Sequence, residues 1–222
     1  IYIATGEAES GKSIITLGLM RILLGRTRKV GYFRPIIETS DRSVKDNHIE
    51  TVLSHFDLDM DYEDCYAMTV AEVIRKKTAG HDGDILDSII KKYKELEDRF
   101  DFILVEGTDF SGETVFVELD INSIIAKNLG IPVILVGTGK GKTLDDLITN
   151  LHLAYDSFMD KEVKVLGIVA NKVDESQLES VKRILVEKVE EKIFIGVIPM
   201  IRSLNNPTIK EIVDELDADI LI

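Results

Sequence analysis

Residues 1–13 read IYIATGEAESGKS, an apolar stretch running straight into a glycine, four residues and then Gly-Lys-Ser. That order constrains the fold more than any other feature of the chain. The pattern G-x-x-x-x-G-K-[ST] makes a phosphate cradle only where a buried strand ends and a helix begins. Gly6 and Gly11 let successive backbone N–H groups turn inward, and the helix N-terminus adds positive potential for an anion. Lys12 is placed to reach the β- and γ-phosphates, and the Ser13 hydroxyl to bind Mg²⁺. The expected nucleotide contacts are therefore Gly6, Glu9, Ser10, Gly11, Lys12, Ser13 and Ile14. Glu7 and Glu9 are odd occupants of a phosphate loop, since inward-pointing carboxylates would repel the anion.

Short apolar runs alternate with longer helical patterns throughout. Strands are expected at 1–5, 29–35, 100–107, 131–137, 163–171 and 193–199, with Pro35 ending the second. Helices are expected at 12–25, 46–56, 82–99, 118–129, 143–159, 175–190 and 207–216, before a final "DADILI". In the first helix Ile14, Ile15, Leu17, Gly18, Met20 and Leu24 are read as lying near one face. Apolar runs without alternation suit parallel strands buried on both faces. Repeated strand–helix units imply a doubly wound α/β fold with a mainly parallel sheet, in one domain of 222 residues.

The net charge of −13 argues against broad binding to nucleic acid, which needs basic patches to neutralise phosphates. No apolar run reaches the ~20 residues needed to span a bilayer, and no secretory pattern is present. A lone cysteine, Cys65, suits a reducing compartment, so a cytoplasmic location is expected. The acidic run "DLDMDYED" (57–64) begins like a calcium loop. Tyr62 at its sixth position and Met68 at its twelfth break that pattern, which leaves a solvated loop.

A nucleotide-bound Mg²⁺ also needs a carboxylate at the end of a neighbouring buried strand. Glu106 in "FDFILVEGTD" is the leading choice, with Asp46 and Asp109 as further candidates. Arg34, at the end of the second strand, is placed to meet an anionic group. Asn171 is placed to reach a nucleotide base. Asn171–Asp174 also fits N-K-x-D, and Asp109–Gly112 fits D-x-x-G, so a guanine-specific switch stays open as a rival. "VGTGKGKT" (136–143) lacks one residue for a second phosphate loop and reads as a strand-to-helix turn bordering the cleft. The four histidines look scattered.

Taken together, "TGEAESGKS", "GYFRPI", "KDNHIE", "ILVEG", "INSIIAKNLGIPVILV", "GIVANKV" and "GVIP" resemble the dethiobiotin synthetase-like branch of P-loop proteins over nearly the whole chain. That resemblance implies ATP and Mg²⁺ as ligands. Dethiobiotin synthetases carry one more residue between the loop glycines. They also have a substrate-holding lysine at the place of Arg34 and a glycine-rich stretch after the glutamate matching Glu106. With these departures the chain looks more like the N-terminal domain of long phosphotransacetylases, especially in "GVIPMIRSLNNPTIKEIVDELDADIL". The apolar end at Ile222 fits a piece of such a longer chain. The resemblance implies a regulatory role, a homo-oligomer, and a C-terminal domain that performs acetyl transfer from acetyl-CoA to phosphate. A free-standing ATP-dependent carboxylate-activating ligase is the alternative.

Overall fold

The computed structural model describes residues 1–201 apart from 8, 40–42, 44, 82 and 109–114, with the backbone alone for 115–118. The expected helix at 207–216, the final "DADILI" and Asp109–Gly112 lie outside the described residues. Seven strands form one parallel sheet: β1 (Tyr2–Ala4), β2 (Val30–Ile37), β3 (Tyr66–Thr69), β4 (Phe102–Glu106), β5 (Val133–Thr138), β6 (Val165–Val173) and β7 (Phe194–Pro199). Their order across the sheet is β3-β2-β4-β1-β5-β6-β7. The helices are α1 (Lys12–Leu24), α2 (Asn47–Phe56), α3 (Val70–Thr78), α4 (Gly83–Glu97), α5 (Val115–Leu129), α6 (Leu144–Met159) and α7 (Leu178–Lys188).

Both faces of the sheet are buried, which is why its strands read as unbroken apolar runs. Along β4, Ile103 and Val105 face the core shared with α3–α7, while Leu104 faces the core shared with α1 and α2. Because every strand runs the same way, their carboxyl ends gather at one edge. The loop after β1 therefore lies between the ends of β4 and β5.

Three expectations change. The stretch 66–78, read as loop, contains β3 and α3. Its signal was the capping box Thr69–Glu72: the Thr69 hydroxyl accepts the Glu72 N–H at 3.2 Å, and the Glu72 carboxylate accepts the Thr69 N–H at 2.9 Å. Pro35 does not end β2, which continues to Ile37. Arg34 N–H bonds toward β3 (Cys65 carbonyl, 2.7 Å), so the next nitrogen faces β4, whose pairing with β2 has already stopped at Phe33–Val105. The missing proline donor breaks no ladder bond there. Ile14 leaves the expected buried face of α1 and is 51% exposed, whereas Thr16 and Met20 are fully buried.

The end of β4 is tied to α5 by Asn122. Its Oδ1 accepts the Tyr2 hydroxyl at 2.6 Å and the Thr108 N–H at 3.1 Å, and its Nδ2 donates to the Thr108 carbonyl at 3.0 Å. A methyl group on Gly107 would stand 2.5 Å from Asn122 Oδ1, whereas one on Gly18 inside α1 meets nothing within 4 Å. Gly107→Ala should lower stability by about 1–3 kcal/mol through overpacking. Gly18→Ala should raise it by about 0.5–1 kcal/mol through helix propensity. Urea unfolding midpoints at constant m-value check both.

Candidate functional site

The loop between β1 and α1 is shaped for an anion. Gly11, the N-cap of α1, holds φ +81°, and a Cβ there would strike Asn171 Nδ2 at 2.3 Å. Only glycine fits on both counts. Ser10 is buried, and its hydroxyl accepts the Lys12 N–H at 3.3 Å. The Lys12 side chain is buried too, and its ammonium donates to the Gly107 carbonyl at the end of β4. The cation is thereby held across the loop, beside Glu106. Ile14 adds little: its N–H is taken by the Gly11 carbonyl at 3.1 Å and its side chain faces outward.

The two loop glutamates turn away from the cradle. Glu7 Oε1 accepts the Thr138 N–H at 2.7 Å, and Oε2 pairs with Lys142 and lies 3.5 Å from Asn150 Nδ2. Glu9 pairs with Lys140 at 2.8 Å, and its carbonyl accepts Lys172 Nζ at 2.7 Å. The turn at 139–143 is thus strapped to the phosphate loop by ion pairs whose partners sequence reading missed. The signal was present: two acids in the loop and two lysines in "GKGKT".

Asn171 reaches the loop backbone. Its Nδ2 donates to the Ser10 carbonyl at 2.9 Å. Asp174 accepts the Ser176 N–H at 2.9 Å and the Ser176 hydroxyl at 2.5 Å in the turn before α7.

Glu106 is the electrostatic centre. Its buried carboxylate accepts Tyr32 OH at 3.0 Å on Oε2. On Oε1 it receives Arg34 Nη1 at 3.2 Å, His48 Nδ1 at 2.8 Å and Ser13 Oγ at 3.4 Å. Burial alone would raise its pKa, but the His48 hydrogen bond and the charges of Arg34 and Lys12 outweigh it and bring the group to about 2. Burial, with the Glu106 charge next, pushes Tyr32 well above its ordinary value, so the phenol stays a donor. Arg34 is buried as a bridge, with its Nε 3.7 Å from Asp46 Oδ2. Asp46 caps α2, accepting the His48 and Ile49 N–H groups at 3.0 and 3.1 Å.

The sequence-named residues Ser13, Arg34, Asp46 and Glu106 therefore converge, joined by Tyr32 and His48. His48 was missed because a histidine two residues into a helix shows its purpose only once β4 is beside it. Among the described residues, no group of three or more His, Cys, Asp or Glu side chains is arranged around a metal. Ser13 Oγ and the Glu106 carboxylate, 3.4 Å apart, are oxygen donors of the kind that would hold a magnesium ion.

The chain matches the AAA-domain family over residues 1–208. It belongs to that family.

Among curated relatives, phosphate acetyltransferases are similar over the entire chain. The protein from Nitratidesulfovibrio vulgaris is 39% identical, and that from Synechocystis sp. is 34% identical. The chain covers only 32% of either, so it spans about a third of the length of these relatives. An ATP-dependent dethiobiotin synthetase from Clostridium kluyveri is 24% identical across 96% of the chain and 90% of its own length. Two solved structures share the fold at 14% identity. A candidate plasmid partition protein of Borrelia burgdorferi, bound to AMPPNP, has a TM-score of 0.55 and is matched over 99% of this chain and 90% of its own. A GTPase in apo form from Pyrococcus abyssi has a TM-score of 0.52, with 99% and 84% covered. The doubly wound α/β fold with a parallel sheet, expected from the strand–helix alternation, is thus shown.

Two outcomes are expected. Because the folded pKa of Glu106 lies below its ordinary 4.5, ionised Glu106 contributes stability above that value, lost as pH falls toward about 2. Glu106→Gln should flatten the acid limb of melting temperature against pH between those limits, removing a slope worth on the order of 3 kcal/mol. Glu7→Ala leaves the Thr138 amide and Lys142 without their carboxylate. It should lower stability by about 1–3 kcal/mol in urea unfolding.

Proposed function

We propose that this chain is a regulatory, nucleotide-binding domain of a phosphate acetyltransferase. It binds ATP or a related nucleotide with Mg²⁺, while the transfer of acetyl from acetyl-CoA to phosphate is performed by another part of the protein. The observation that carries the reading is the full-length match at 39% identity to a phosphate acetyltransferase three times as long. The complete phosphate loop, with Lys12 held across it and Ser13 at the helix start, supports nucleotide binding. Arg34 supports a regulatory role over ligase chemistry. It stands where resemblance to dethiobiotin synthetases places a substrate-holding lysine, yet its guanidinium bridges Glu106 and Asp46. With its guanidinium engaged by two carboxylates of the chain itself, Arg34 is poorly placed to hold a carboxylated substrate as that lysine does.

Calorimetry tests the reading. The wild type should bind ATP in Mg²⁺, and Lys12→Ala should lose at least about tenfold in affinity. Absence of binding by the wild type would overturn it. In the full-length protein, ATP should change acetyl-transfer activity for the wild type and leave Lys12→Ala unmoved.

A second reading draws on the end of β6. Asn171 and Lys172 both clasp the phosphate loop, which brings the N-K-x-D stretch to the edge where a base would sit. Tighter binding of GTP than ATP in the same titration favours this guanine reading. Equal or tighter ATP binding removes it.

A further inference from the structure

Ser13, His48 and Glu106 meet at one corner of a cleft of about 250 Å³, completed by Leu17, Asn47, Thr51 and Val52. His48 Nδ1 lies 2.8 Å from Ser13 Oγ and 2.8 Å from Glu106 Oε1, and those two oxygens are 3.4 Å apart. One ring nitrogen thus faces two oxygens at the same distance. An N–H at Nδ1 serves both only as a shared donor. In the other neutral tautomer Nδ1 offers a lone pair, and three electron-rich atoms then point into one triangle.

A cation satisfies all three at once. Neighbouring donors around an octahedral ion with bonds of about 2.1 Å are about 3.0 Å apart, which the edges of 2.8, 2.8 and 3.4 Å bracket. Asp46 helps aim the ring, because its carboxylate accepts the His48 backbone N–H at 3.0 Å. Imidazole nitrogen suits first-row transition ions, whereas Mg²⁺ favours oxygen donors and retains its water.

We propose that His48, Ser13 and Glu106 form one face of a divalent-cation site that takes an ion of the Mn²⁺ or Co²⁺ class ahead of Mg²⁺. The proposal rests on the nucleotide reading. Arg34 Nη1, 3.2 Å from the same Glu106 oxygen, and the nearby Lys12 ammonium load the corner with positive charge that phosphates offset.

Mn²⁺ is the probe because it is paramagnetic. Electron spin-echo envelope modulation of wild-type protein, with Mn²⁺ alone and with Mn²⁺–ATP, should show coupling to a directly bound imidazole nitrogen. The pattern should change on ¹⁵N-histidine labelling and vanish in His48→Ala. In competition experiments His48→Ala should weaken Mn²⁺ at least about tenfold while leaving Mg²⁺ within about twofold. Coupling in either sample supports the site; absence of coupling from both overturns it. Equilibrium dialysis of labelled ATP separates the two claims. Retained ATP binding without coupling removes the metal assignment alone, and coupling without ATP binding removes the nucleotide reading alone.

Discussion

The arrangement depends on one buried charge. Glu106 ends the strand beside β1, and Tyr32 and Arg34 from β2, His48 from α2 and Ser13 from α1 all reach it. A carboxylate this deep is tolerable only while its partners remain, because each supplies a hydrogen bond or charge that water cannot replace there. The network therefore ties four elements, β2, β4, α1 and α2, to one buried point. It also explains the burial of Arg34 and Lys12, two side chains that seldom leave water without a carboxylate or carbonyl to meet them.

Much of this is legible in the sequence. The strand-to-loop-to-helix order at residues 1–24 carried its own geometry, and the apolar run 102–106 ending in an acid placed Glu106. What the chain hid were contacts between residues far apart in sequence. His48 looked isolated because the side chains its ring meets, Ser13 and Glu106, lie 35 and 58 residues away in sequence. Pro35 misled because its meaning depends on which neighbour its nitrogen faces, a property of the sheet and not of the dipeptide. β3 and α3 lay behind an acidic stretch that drew attention to calcium, while the capping box that opens α3 went unread.

The strap between the phosphate loop and the 139–143 turn resolves the puzzle of two glutamates beside an anion site. Their carboxylates are neutralised by Lys142 and Lys140 and drawn toward the 139–143 turn, so the inward surface is left to backbone amides and Lys12. The outer pair, with Glu9 72% exposed, is open to screening by salt, whereas Glu7 is mostly shielded. The inner pair is therefore the more durable tie at physiological ionic strength.

The position of β1 has a consequence for how the protein comes into being. The strand that launches the phosphate loop is made before both of its neighbours, since it is flanked by β4 and β5, with Tyr2 paired to Val105 and Val133. Closing so long a stretch of chain is entropically slow, and no local hairpin can stand in for the missing neighbours. A nascent chain emerging from the ribosome thus carries the loop sequence long before it has the cradle. The surroundings of the phosphate loop are completed only once β4 and β5 are in place, although the loop's own residues precede both.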